Sequence, residues 1–520
     1  MSTMKGFALK PLTQAFLHYI LGHISFFDNN TLIMKICLCL QRRFAYIGHS
    51  LAALVQEEHP DTAFCAYVYT RPSFDFLEAQ QEVPYTALLL DEDIHEEYKR
   101  ESLDPEYLAW LEKEYGLPHL WPYLEIDRIV RHDQLVREYP HDALRYTHEE
   151  MLRILQVKAK RVIEFLDREK PEVIFFSAIG AVSLLLLYHI AKKRGIRTLC
   201  LTLNFLPGMI ALSDHYAYFN KDRTAVTSER QAMAQALITK FREKPHKYSE
   251  IHDPTKQKVN REQQFSFLSP KNLLRSARWF SHLLREHYER RDRFDYSYIH
   301  PAYYLLDRFK RKLRNLRPVA YDRFDASENF AFFPLQLEPE ISLLLLAPFA
   351  TDQIHVIKQI ARSLPVGYKL YVKEHPQMVP YRPRSFYREL KKIPNVKLIH
   401  PGINSFELIA AARLITTITG TAGWEAVLLR KPVITFGDIF YNPLSSVKQC
   451  ASYHDLASLV KTQLENFNYN EAELVDFVAQ ALAYSSPVDL LYLWEKETDE
   501  AKKKNSLRPL AAAMAQVLGI

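Results

Sequence analysis

The run Leu414-Ile415-Thr416-Thr417-Ile418-Thr419-Gly420-Thr421-Ala422-Gly423-Trp424-Glu425-Ala426 decides how the chain folds. Its first four residues are apolar or β-branched and suit a buried strand over 414–417. Two glycines interrupt the run, and a helix is predicted over 422–429. Strand, glycine turn and helix form the unit from which parallel α/β sheets are wound, and such sheets bind ligands at the carboxyl ends of their strands. The first helical turn has amide N–H groups without intrahelical partners and a partial positive charge, which suits a phosphate. Gly420 and Gly423 would let main chain approach a phosphate closely, Thr419 and Thr421 would add hydroxyls, and Glu425 would accept hydrogen bonds from a ribose diol. The plainer reading is a tight turn and N-cap, with Glu425 only favouring the helix dipole. The run is not a Walker A loop, because no Gly-Lys-Ser/Thr follows.

The same alternation extends outward. Strands are predicted over 330–335, 369–373, 396–399 and 432–436, with helices over 351–364 and 405–411 between them. This order implies a parallel sheet with right-handed crossovers. The strand over 369–373 ends in Lys373-Glu374-His375-Pro376. Pro376 stops the strand, and Lys373 and His375 would face a phosphate or a developing leaving-group charge; a satisfied loop histidine is the alternative. The strand over 330–335 ends at Gln336, within Pro334-Leu335-Gln336-Leu337-Glu338-Pro339-Glu340. Gln336 would reach a base or phosphate, Glu338 and Glu340 would face an interdomain gap, and Asp352 reads equally as helix cap or ligand contact.

The N-terminal half shows a looser version of the pattern. Strands are expected over 34–40, 63–69, 172–177 and 197–203, and helices over 48–57, 149–168 and 181–193. Residues 91–145 are polar, charged and aromatic and read as helices and loops on the acceptor side. The expected organisation is a Rossmann-like acceptor domain over 1–220, a helical basic linker or insertion over 221–328, a Rossmann-like nucleotide-sugar domain over 329–480, and C-terminal helices over 481–520. At 520 residues the chain is too long for one ordinary domain.

The formal charge of +6 is mild for this length and suits anionic ligands or an anionic membrane surface. Basic and aromatic residues at helical spacing over 271–293 and 307–317 read as a solvated linker, a membrane-surface or anionic-acceptor patch or, least well, a nucleic-acid surface, since no nucleic-acid motif accompanies them. Cys37, Cys39, Cys65, Cys200 and Cys450 are scattered without zinc or disulfide spacing and are expected as reduced, buried thiols. The stretch from Met1 to Leu21 has no signal-peptide pattern, and the longest apolar runs are too short to span a bilayer. A cytoplasmic or membrane-associated protein is expected, with no cofactor.

Taken together, PLQ-x-EPE, KEHP, TGTAGWEA and KPVITFGDIFYN resemble the capsule polysaccharide biosynthesis family, which includes Kdo-type transferases using CMP-activated sugars. The resemblance is detailed over residues 330 to 445. It implies the GT-B fold, two Rossmann-like domains with a cleft between them, and nucleotide bound by the C-terminal domain. Carried over, His375 and Pro376 match a His-Pro motif that contacts the nucleotide phosphate, and Thr419, Gly420, Thr421 and Glu425 match the donor-binding turn. Gln336 falls near the family's glutamine motif, but Leu337 follows it where the family has proline.

Glycosyl transfer needs a base for the acceptor hydroxyl or a means to stabilise an oxocarbenium ion. In a GT-B arrangement that group would come from the N-terminal domain. Asp214 and His215 are the candidates, against a plain surface placement; Ser177 and Asn204 also lie near strand ends. No Asp-x-Asp pair has a strand context, so no metal is expected. The expected partners are a nucleotide-sugar donor and a glycan or glycolipid acceptor, with contact at the inner membrane and no nucleic acid. A sugar-nucleotide epimerase and a non-catalytic nucleotide-sugar-binding protein are the alternatives.

Overall fold

The structure is a computed structural model that describes residues 34–41, 44–133, 144–219, 226–248, 270–289, 296, 298, 300–316, 319–379 and 381–520. The expectations for the stretch from Met1 to Leu21, for the start of the linker at 221 and for the end of the basic stretch at 290–293 lie outside the described residues.

Two α/β sheets form among the described residues. The first contains β1 (Lys35–Leu40), β2 (Ala63–Val68), β3 (Tyr85–Leu90), β4 (Val173–Phe176), β5 (Arg197–Thr202), β6 (Ile210–Ser213) and β13 (Ser485–Ser486). Their order is β13-β6-β5-β4-β1-β2-β3, parallel from β3 to β5, with β6 and β13 added antiparallel. The second contains β7 (Phe330–Pro334), β8 (Lys369–Lys373), β9 (Val396–Ile399), β10 (Leu414–Thr417), β11 (Val433–Thr435) and β12 (Val447–Gln449), in the all-parallel order β12-β11-β10-β7-β8-β9. Both are doubly wound, so the chain has the two Rossmann-like units of the GT-B class.

Local chemistry explains the main elements. The central strands of each sheet are continuous apolar runs because helices cover both faces. The His148–Glu169 helix opens with a reciprocal capping box between Thr147 and Glu150. Gln353–Ser363 is capped by Asp352, whose Oδ1 accepts from the His355 amide at 3.0 Å. Asp352 therefore acts as a cap.

The two units touch at their strand ends. Gly180, which follows β4, lies against Ile341 of the second unit so closely that a Cβ there would come 2.2 Å from the Ile341 Cδ1. The closing Arg508–Leu518 helix returns to the first unit, burying Leu510 and Met514 in the same core as Leu51 and Leu54. All five cysteines are buried and free. Among the described residues, no helix is long and apolar enough to cross a membrane.

Candidate functional site

In the second sheet the strand order reverses between β7 and β10, which are neighbours. The crevice at such a reversal is where doubly wound sheets take ligands. Gln336 follows β7 and Thr419 follows β10, and the two clamp each other across it. The Gln336 Nε2 donates to the Thr419 hydroxyl at 3.2 Å, and the Thr419 amide donates to the Gln336 Oε1 at 3.2 Å. Both residues are buried, so together they form the floor of the crevice.

Beneath that floor lies a residue that the sequence reading missed. Arg382 is fully buried. Its Nη2 donates to the Gln336 carbonyl at 2.6 Å and its Nη1 to Glu338 at 2.9 Å, while its Nε lies 2.8 Å from Glu374. Gln353 adds a second tie: its Oε1 accepts from the Gln336 amide at 2.8 Å. Glu374 also accepts from the Tyr387 hydroxyl at 2.8 Å and from the His375 amide at 2.6 Å. Burial raises the Glu374 pKa, against the pull of Arg382 and Tyr387. One guanidinium thus joins the glutamine segment to the Lys-Glu-His-Pro segment. Glu338, expected at the interdomain gap, is buried in this network instead.

His375 is half-buried and heads the short 3-10 turn Pro376–Met378. Its Nδ1 accepts from the Gln377 amide at 3.3 Å, so a neutral ring carries its proton on Nε2 and can donate from there.

Lys373 ends β8 and is almost fully buried, with its Nζ donating to the Ser405 hydroxyl at 2.7 Å. Its pKa is pushed down to about 8, chiefly by burial and then by Lys247, with Glu425 pulling the other way. Lys247 donates to both Glu425 oxygens, at 2.6 and 2.8 Å, and its Nζ sits 4.9 Å over the Phe406 ring. Lys247 was not among the residues singled out from sequence. It is one lysine in a Lys/Arg-rich stretch and has no motif around it. Arg242 places it, donating from Nε to the Leu428 carbonyl at 2.7 Å and from Nη1 to Glu471 at 2.6 Å, which fastens the Ser228–Glu243 helix beside the glycine turn.

The Thr421–Leu428 helix begins as predicted, with Gly420 as N-cap and no side chain capping its first turn. Gly420 and Thr421 are half-exposed, and Thr421, Trp424 and Glu425 line a cavity shared with Phe205, Phe241 and Tyr248. Gly423 has a steric task that the sequence did not indicate. A Cβ there would come 2.3 Å from the Tyr441 hydroxyl, which donates to the Gly420 carbonyl at 2.7 Å. Gly423 makes room for the tyrosine that braces the turn.

Across the interface, Asp214 has an exposed side chain, while its carbonyl accepts from the Thr198 hydroxyl at 2.8 Å. His215 is half-buried and stacks on Tyr216 at 4.6 Å. Its pKa is lowered by burial and by Lys192, against Asp214 and Asp438. Asp438 belongs to the second unit and follows Gly437, where a Cβ would come 2.6 Å from the Thr419 Cγ2. His215 is therefore close to a loop that touches the turn. Its Nδ1 accepts from the Ala217 amide at 3.0 Å, which leaves Nε2 as a donor on the neutral ring and unsuited to take a proton. Asn204 is buried, its Oδ1 accepting from the Leu206 amide at 3.1 Å. Among the described residues, no group of three or more His, Cys, Asp or Glu could hold a metal ion.

The family model described as "Capsule polysaccharide biosynthesis protein" matches residues 230–452. Protein FixF of Sinorhizobium fredii (strain NBRC 101917 / NGR234) is 35% identical over 121 residues, 23% of this chain and 29% of FixF, so the match spans under a third of that relative. Among solved structures, the KpsC β-Kdo 2,4 transferase of Thermosulfurimonas dismutans is similar at 14% identity and a TM-score of 0.35, covering 61% of this chain and 82% of that one. The β-Kdo 2,7 transferase of the same KpsC is similar at 16% identity and a TM-score of 0.31, covering 68% and 89%. A putative UDP-N-acetylglucosamine 2-epimerase from Listeria monocytogenes is similar at 11% identity and a TM-score of 0.27, covering 94% and 97%. Over residues 230–452, which hold the glutamine, His-Pro and glycine-turn segments and Lys247, the chain is similar to the capsule polysaccharide biosynthesis family.

Proposed function

We propose that this chain is a glycosyltransferase that moves a sugar from a nucleotide donor, a CMP-activated sugar, to a bacterial surface or capsular glycan or its glycolipid. One observation carries this reading: the uncapped Thr421–Leu428 helix carries Glu425, which pairs with Lys247 and acts electrostatically on Lys373, and Thr421 and Glu425 line an aromatic-walled cavity. Helix amides and two cations suit a phosphate, a carboxylate suits a ribose diol, and aromatic walls suit a base.

In this reading the residues around 34–219 hold the acceptor and those around 329–480 hold the donor. Gln336 and Thr419 keep the crevice floor in place. Gly420, Thr421, Lys247 and Lys373 bind the donor phosphate, and Glu425 accepts from the ribose. His375, with Pro376 fixing the loop, donates from Nε2 to the phosphate as the glycosidic bond breaks. Asp214 takes the proton of the attacking hydroxyl, and His215 orients the acceptor by donating from Nε2. The lysines supply the charge that a divalent ion would otherwise bring, so transfer proceeds without a metal. The work is done at the cytoplasmic face of the inner membrane.

Thermal denaturation with CMP, CDP, UDP and GDP tests the donor site, since a ligand that binds only the folded state raises the melting temperature. CMP is expected to give the largest rise, and Glu425→Ala to remove that rise relative to the variant's own unliganded melt, which itself falls because Lys247 loses its counter-charge. A chain that no nucleotide stabilises refutes the reading. Interconversion of a sugar nucleotide without acceptor would mark an epimerase, and binding without turnover across an acceptor panel a non-catalytic protein. Activity that survives EDTA is expected; its loss and rescue by a divalent ion would overturn metal independence.

A further inference from the structure

The Pro301–Leu316 helix is amphipathic, but its apolar side faces out. Asp307 is 2% exposed and pairs with Arg311. Arg311 donates to the Tyr381 hydroxyl at 2.9 Å and Arg314 to the Tyr381 carbonyl at 2.7 Å. These polar contacts fix the helix to the second unit. Leu305, Leu306, Phe309 and Leu313, spaced to share one face, are 45%, 53%, 63% and 49% exposed. The neighbouring Pro270–Glu289 helix is held by Arg308, whose guanidinium lies 3.9 Å over the Trp279 ring, and it exposes Leu273, Leu274 and Tyr288 in turn. A helix that turns charge inward and leucine outward forgoes burial of its apolar stripe unless another phase covers it.

The charge around the stripe indicates which phase. The Pro301–Leu316 helix has Arg308, Lys310, Arg311, Lys312 and Arg314 against Asp307 alone. Arg308 and Lys310 are exposed beside the stripe, as are Arg275, Arg278 and Arg285 on the neighbouring helix. A second copy of the chain would bring this same basic rim against itself, which like-charge repulsion opposes. A nucleic acid would pair with the cations but leave the leucines in water. Anionic lipid satisfies both, with headgroup phosphates at the rim and the acyl boundary over the stripe.

We propose that these two helices form a docking surface for an anionic bilayer, with the Leu305–Leu313 stripe inserted at the headgroup boundary and Arg308 and Lys310 at the phosphates. The inference deepens the reading that the acceptor is met at a membrane and does not depend on the donor site.

The test is flotation of the full chain with vesicles of phosphatidylcholine alone or mixed with phosphatidylglycerol. Binding is expected only to the mixed vesicles and is expected to weaken as salt is raised. Arg308→Ser and Lys310→Ser should each weaken it about fivefold, the effect of ~1 kcal/mol per basic residue at such a surface. Leu306→Ser with Phe309→Ser should abolish it without lowering the melting temperature, and Phe309→Trp emission should shift to the blue on mixing. Equal binding to neutral vesicles, no flotation with either kind, or wild-type binding by the Leu306→Ser, Phe309→Ser variant would overturn the proposal. So would a dimer in solution that Phe309→Ser dissociates. Nucleotide-induced stabilisation is measured without vesicles, so failure of the donor reading and failure of this one are read separately.

Discussion

The guanidinium of Arg382 donates to the main-chain carbonyl of Gln336 at 2.6 Å, from a position with no solvent exposure. The same group meets Glu338 and Glu374, so one cation holds the loops after β7 and β8 in register. Arg382→Met is expected to destabilise the chain by about 3–5 kcal/mol, because two buried carboxylates lose their counter-charge. Arg382→Lys should recover only part of this, since an ammonium cannot reproduce the planar fork. Urea denaturation measures both; a loss within about 1 kcal/mol for Arg382→Met would mean that the network does not hold the loops.

Gly423→Ala tests the brace on the glycine turn. The new methyl would meet the Tyr441 hydroxyl, and overpacking of this kind costs about 1–3 kcal/mol. Tyr441→Phe removes the clashing oxygen along with its hydrogen bond to Gly420. The double variant should therefore lose less stability than the sum of the single ones. Strict additivity in a thermal or chemical melt would show that the two positions do not meet.

Lys247→Met and Glu425→Gln probe the cluster beside the helix start. Each should weaken nucleotide binding on the order of 10–100-fold, the worth of a charged hydrogen bond of about 1.5–3 kcal/mol. Calorimetric titration with CMP reads the change. Wild-type affinity in both variants would move the donor away from this cluster.

With Lys373 at the proposed phosphate site, nucleotide binding should depend on pH. Its pKa of about 8 lies below the ordinary lysine value, so the cation is complete only well below pH 8. Affinity for a nucleotide phosphate should hold at lower pH and fall as the pH rises through 8, with proton uptake on binding above that point. Lys373→Met should flatten the profile. For stability the sign is opposite: the folded chain holds fewer protons than the unfolded one between about pH 8 and the free lysine value of about 10.4, so this group favours folding more as the pH rises through that window. A pH-independent affinity in the wild type would exclude Lys373 from the phosphate site.

Asp214→Asn should lower kcat by about 100-fold or more with little effect on nucleotide affinity, as expected for loss of a general base. His215→Phe should raise the acceptor KM more than it lowers kcat, since the proposed role of the ring is that of a donor to the acceptor. Unchanged turnover in Asp214→Asn would send the search for the base elsewhere.

Much of the second unit was legible in the residues. The strand over 369–373 and the helix over 405–411 match the bounds read from the apolar pattern, since these strands are buried on both faces and end at Gln336, Pro376 and Gly420. The first unit was less legible at its edges. β3 is half-exposed and lacks a clean alternation, β6 pairs antiparallel on both sides, and β13, at the rim, is two serines brought from the far end of the chain.

The order of residues alone determined the doubly wound class, the placement of His375 and Gly420 just past strand ends and that of Glu425 one turn into a helix, because local hydrophobic period and turn chemistry act over a few neighbours. Only tertiary structure decided that Arg382 would brace Gln336, that Lys247 would face Glu425, that Gly423 would yield to Tyr441, and that Leu306 and Phe309 would face outward. Those outcomes depend on charges and volumes that meet across long stretches of chain, where no local pattern records the partner.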